Sequence, residues 1–167
     1  MKKIADLQDL MIEQLREIYD AEVQLIPFVQ KLTLEVSDDK LKELLVEYNN
    51  TTADNQLILK QVFNDLFTQK RGEKNTIMRR MIYQTEELLD RCIDFKVKDA
   101  AIITSVQHII HFKIATYGAA ATYANIMGLY DDATKLHNML ELEKRMDVQL
   151  KVLADGVVDR KAYLEEV

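Results

Sequence analysis

The chain has 167 residues, 48% hydrophobic and 30% charged, which is the size and balance of one domain (1–167) with a proper core. A formal net charge of −6 with no large basic cluster opposes nonspecific nucleic-acid binding, and no stretch approaches the roughly 20 apolar residues of a membrane span. One proline and four glycines leave few helix breakers, and a single cysteine excludes an intrachain disulfide and fits a reducing cytosol, so the expectation is an all-α, cytoplasmic protein.

The opening MKKIADLQDL has two lysines but no continuous apolar run behind them, unlike a secretory signal or an anchor. Apolar periodicity predicts a first helix over about residues 4–34, with Ile4, Leu7, Met11, Leu15, Ile18, Leu25, Ile26 and Val29 on one face. Pro27 lies inside it and is expected to bend it, freeing the Val23 carbonyl from its usual bond. VSDDK ends that helix and starts a second over about 39–68, Ser37 or Asp38 serving as N-cap. Leu41, Leu44, Leu45, Leu59, Val62 and Leu66 point inward there.

QKRGEKN, around Gly72, reads as a loop, followed by a shorter helix over about 76–93 that places Cys92 as a buried, inert thiol. DFKVKD leads into a helix over about 98–127 that Gly128 terminates, and a last helix runs from Asp131 or Asp132 to Gly156. The tail VVDRKAYLEEV reads as one more short helical piece. Four helices of about 37–46 Å, paired one with two and four with five, make a four-helix bundle with the shorter helix as crossover between the second and third long helices.

At 100° per residue, polar side chains interrupt each inward stripe near its middle. Glu22 sits between Ile18 and Leu25; Asn55 is central on the second helix with Thr51 one turn before it and Tyr48 and Thr52 nearby; Lys113 lies between Ile110 and Tyr117; Glu143 and Asp147 share the line of Leu136, Leu140 and Leu150. The antiparallel pairing sets all of them at one level. A single buried polar residue would be a satisfied core group, whereas a layer supplied by four helices is a candidate site. His108 and His111 project some 140–160° from the inward line, and His137 is turned outward, so all three read as solvent or subunit contacts. There is no CxxC, HExxH or glycine-rich phosphate loop in the chain.

A bundle with a crossover and inward carboxylates at mid-height is the ferritin-like arrangement. YDAEVQL (19–25), DAAIITSVQHIIHFKIATYG (99–118) and LHNMLELEKRMDVQLKVLA (136–154) resemble the YciF/YciE family of bacterial ferritin-like, stress-associated proteins, over nearly the whole chain. The resemblance implies acids on the fourth helix in a pattern like VEHYEIA, and acidic, His or Gln residues on the second. Ile110 and Lys113 stand at the former positions here, Thr51 and Asn55 at the latter; Glu22, Glu143 and Asp147 match the family acids.

A dinuclear iron site needs about four carboxylates and two imidazoles. Three carboxylates and an amide do not supply that set, and the Lys113 ammonium can stand in for part of the metal charge. The expectation is a layer of Glu22, Asn55, Thr51, Lys113, Glu143 and Asp147, without metal or cofactor and without a catalytic residue. The protein would then be a non-catalytic, ferritin-like, stress-associated homodimer, with the outward histidine side of the fourth helix as a candidate interface. The alternative is a metalloprotein acting on oxygen or peroxide, with a single Fe or Mn ion on Glu22, Glu143, Asp147 and Asn55. A DNA-protecting shell is disfavoured by the acidic charge and the lack of a basic tail.

Overall fold

The computed structural model describes residues 3–70, 74–158 and 163. It contains α1 (Leu7–Glu35), α2 (Asp39–Asp65), α3 (Thr76–Asp90), α4 (Phe95–Ile126) and α5 (Tyr130–Leu153), with a π turn at Ala154–Val158. The long helices α1, α2, α4 and α5 form a ferritin-like four-helix bundle: α1 lies along α2, α4 along α5, and the pairs meet through α1 with α4 and α2 with α5. The shorter α3 crosses between the pairs and packs on α4 and α1. One hydrophobic core runs through the bundle, from Met11, Leu15 and Ile18 of α1 to Leu136, Met139 and Leu150 of α5.

The helix limits follow capping chemistry more closely than apolar periodicity. Asp6 caps α1 through its carboxylate and the Asp9 amide, so Ile4 falls before the helix and is exposed rather than on the core face. Asp94 accepts from the Lys96 and Val97 amides and starts α4 three residues before the expected position. Asp38 is the cap of α2. Pro27 lies on the exposed side of α1 together with Val23, where solvent can satisfy the carbonyl that the proline frees.

Helix α2 ends three residues short of the sequence expectation, because Phe67 takes a left-handed conformation (φ 50°) and Thr68 N donates back to Phe63 O at 3.0 Å. The same ending closes α4, this time with Gly128 at φ 76° and Leu129 N on Ala124 O at 2.9 Å. Cys92 lies just past the end of α3 and is only partly covered, so it is not the buried helical thiol the periodicity suggested. Gly72 at the centre of the expected loop, and the tail beyond Val158 apart from Tyr163, lie outside the described residues.

One carboxylate ties the two pairs together at the end where α1 turns into α2. Asp99, in the first turns of α4 and 2% exposed, accepts from Ser37 N (2.9 Å), Ser37 Oγ (2.6 Å) and Asp38 N (2.9 Å). Replacing it leaves two backbone donors beside a buried void. Asp99→Ala is therefore expected to lower unfolding free energy by about 2 kcal/mol at neutral pH, read as a reduced urea midpoint with unchanged helical circular dichroism.

Candidate functional site

Halfway along the bundle the core is interrupted by Glu22 from α1, Asn55 from α2, Lys113 from α4 and Glu143 from α5, all with 0% exposure. Each lies on the inward stripe of its helix, and the antiparallel packing brings their side chains together. The Lys113 Nζ stands 2.6 Å from Glu143 Oε1 and 3.1 Å from Glu22 Oε1. It also donates to the Tyr48 hydroxyl at 3.3 Å and lies 4.8 Å from the centre of that ring.

Asn55 Nδ2 donates to the same two oxygens, at 3.2 Å to Glu22 and 3.3 Å to Glu143. The amide nitrogen must face them, since its oxygen would repel both. The Tyr117 hydroxyl completes the set with a short hydrogen bond to Glu22 Oε1. Among the described residues, Glu22 Oε2, Glu143 Oε2, Asn55 Oδ1 and Thr52 Oγ1 are buried without a hydrogen-bond partner.

Burial works against the Lys113 ammonium, but the Glu143 and Glu22 carboxylates outweigh it and hold its pKa above the ordinary lysine value. Burial pushes the Glu143 carboxyl up to about 7; Lys113 opposes that shift and Glu22 adds to it. Burial raises Tyr48 and Tyr117 well above their usual range, reinforced by Glu143 at Tyr48 and by Glu22 at Tyr117. Both phenols therefore stay neutral donors. With both carboxylates ionised, the layer carries a net −1; a proton on Glu143 neutralises it. Chemically, it is a fixed internal cation held by two acids, one of which takes up a proton near neutrality.

Two of the six sequence-derived residues stand outside this cluster. Asp147 is four residues after Glu143, and four residues of helix advance the side chain 40° beyond a full turn. That places it at the α4–α5 edge, partly exposed, where it accepts from Gln107 Nε2 at 2.9 Å and meets His111 Nε2 at 3.4 Å. Thr51 bonds the Glu47 carbonyl and lines a surface groove between α2 and α5, while its neighbour Thr52 is the buried one. The groove, about 420 Å³, reaches inward to Tyr48 and Glu143. Tyr117 is the member of the cluster absent from the sequence-derived set; its position one turn after Lys113 on the same stripe is the signal that points to it.

The residues present do not fit a dinuclear metal pair. Two carboxylates share their facing oxygens with an ammonium, and the two histidines of α4 are on its exposed side. Among the described residues, no three His, Cys, Asp or Glu side chains are grouped so as to hold a metal ion.

Comparison with known proteins gives a consistent result. The family described as Domain of unknown function (DUF892) matches residues 6–163. Protein YciF of Escherichia coli (strain K12) is 31% identical over 157 residues, spanning 93% of this chain and 95% of that protein. The crystal structure of the E. coli stress protein YciF superposes with a TM-score of 0.89 at 29% identity, covering 93% of this chain and 99% of that one. A solved YcfI chain from Rhodopseudomonas palustris gives a TM-score of 0.87 at 28% identity, covering 90% and 96%.

Proposed function

The chain belongs to the DUF892 family, and from that premise we propose that it is a non-catalytic, YciF-like, stress-associated protein in which Lys113 replaces the metal charge of a diiron bundle. The observation that carries this reading is the Lys113 Nζ between Glu143 and Glu22, at 2.6 and 3.1 Å. An ammonium there satisfies the acids that would otherwise need a divalent ion, and a second cation at the same place would meet it at contact distance. The protein then works as a cytoplasmic homodimer, through its surface rather than through chemistry in its core. No helix among the described residues is long and apolar enough to cross a membrane.

Elemental mass spectrometry tests the proposal on untagged protein from iron- and manganese-supplemented cells, challenged anaerobically with Fe(II). The expected content is below about a tenth of an ion per chain. Lys113→Glu, which restores an acid at that position, should bind more iron than wild type; no gain would remove the ligand-loss account.

A second reading has one observation in its favour: Glu22 Oε2, Glu143 Oε2 and Asn55 Oδ1 are buried without a hydrogen-bond partner among the described residues, and oxygens of these kinds can ligate one Fe or Mn ion. It predicts stoichiometric metal in the wild type, abolished by Glu143→Ala. Asp147, turned away to Gln107 and His111, gives that ion no help.

A further inference from the structure

The groove between α2 and α5 holds about 420 Å³, within the roughly 300–1,000 Å³ of small-molecule sites. Tyr48 and Thr51 of α2 face Leu142 and Met146 of α5 across it, and the exposed Val148 extends the apolar wall toward solvent. Glu143 borders the same space, although its side chain is wholly buried. Its Oε1 is taken by Lys113 at 2.6 Å and Asn55 at 3.3 Å, whereas its Oε2 has no hydrogen-bond partner among the described residues. An acceptor left bare in an apolar wall costs stability and invites a donor. Asp99 also borders a cleft, beside Lys96, but both of its oxygens are already bonded, to Ser37 and Asp38, so it has nothing to offer a guest.

We infer that the groove is a binding site for a small organic amine, whose ammonium donates to Glu143 Oε2 and whose apolar body lies along Leu142, Met146 and the Tyr48 ring. Charge selects the head group. With both acids ionised, Glu22 and Glu143 against Lys113 leave the layer at −1; an ammonium brings it to zero, an alcohol leaves it unchanged and a carboxylate makes it worse. The guest takes the oxygen that Lys113 leaves, so the two cations occupy opposite oxygens of one carboxylate. The mouth agrees with this sign. Glu47 stands there as a further acid, while Lys144 donates to Glu141 at 2.8 Å. Lys144, by that bond, and Arg145, through space, hold the Glu141 carboxyl below its ordinary range, and Glu141 lies outside the groove lining. Met146 at the wall is unbranched and adapts its shape to a guest. The inference goes beyond the non-catalytic reading and rests on one part of it, a layer free of metal, since an ion on Glu143 Oε2 would take the place of the ammonium.

Heteronuclear NMR titration of the full chain tests this with n-hexylamine, n-hexanol and hexanoate at about pH 8, above the Glu143 value of about 7. Metal is counted first and stripped with a chelator if present. The expected result is a Kd for n-hexylamine of about 1 mM or tighter, with amide shifts centred on Thr51 and Met146, and binding of the other two at least about tenfold weaker. Glu143→Gln should weaken the amine at least about tenfold, and Val152→Ser, an exposed change on α5 away from the groove, should leave it unaltered. Should Glu143→Gln misfold, Thr51→Phe, which fills the groove from its partly exposed wall, is expected to abolish binding instead. Equal affinity for n-hexanol overturns the charged head, and a preference for hexanoate hands the groove to Lys144 and Arg145 and overturns the amine. Failure of all three to bind metal-free protein overturns the site and leaves the metal-free reading standing. Stoichiometric metal before stripping overturns that reading, whatever the amine then does.

Discussion

Lys113→Met is expected to cost about 3–5 kcal/mol of unfolding free energy at pH 8, measured by urea denaturation with circular dichroism. The substitution keeps most of the side-chain volume, so little of the loss comes from a cavity. What it removes is the cation shared by Glu22 and Glu143, leaving two carboxylates fully buried with Asn55 and Tyr117 as their donors among the described residues. The penalty belongs to the ionised acids, so it should shrink as pH falls toward 5 and the Glu143 carboxyl takes up a proton. A loss that stayed constant from pH 8 to 5 would mean that packing, and not charge, is what Lys113 supplies.

The second large effect appears in the wild-type protein itself. The Glu143 carboxyl is raised from 4.5 to about 7 on folding, with burial as the leading cause. A raised acid favours the folded state only while it is protonated. Stability from this group is therefore complete below about pH 4.5 and falls as pH rises through 7, by on the order of 3 kcal/mol. Lys113 does not blur that window, because its raised pKa keeps its contribution intact until the pH passes the ordinary lysine value. Glu143→Gln, which retains an oxygen for Lys113 and Asn55, should flatten the profile between pH 5 and 8. An equally steep profile in the variant would place the titration elsewhere.

The residues of the layer were legible because helical periodicity is insensitive to small errors at the centre of a stripe. Glu22, Asn55, Lys113 and Glu143 each sit within the span of their apolar neighbours, and one level suffices to bring them together. Asp147 shows where this reading runs out. A 40° advance per i, i+4 step is tolerable for a leucine, which fills space anywhere near the seam, but it decides whether a short carboxylate faces the core or its edge. Thr51 and Thr52 differ by 100°, and it is Thr52, four residues after Tyr48 and three before Asn55, that continues the buried stripe of α2, so a centre placed one residue off exchanges the two. Tyr117 could not be separated from core tyrosines, because its role depends on the distance from its hydroxyl to Glu22 across the bundle. Helix starts were misplaced for a related reason: Asp6 and Asp94 fix them by single hydrogen bonds that leave no periodic trace.

The ammonium at mid-bundle is carried by the chain, which sets it apart from an acquired ion. A bundle closed by iron depends on supply: its folded fraction follows the free metal concentration, and chelation or oxidation can empty it. Lys113 is delivered with every copy at translation, in fixed stoichiometry and without a redox state. Iron starvation and oxidant exposure are conditions in which metal centres fail, and a protein built this way would keep the same fold through both.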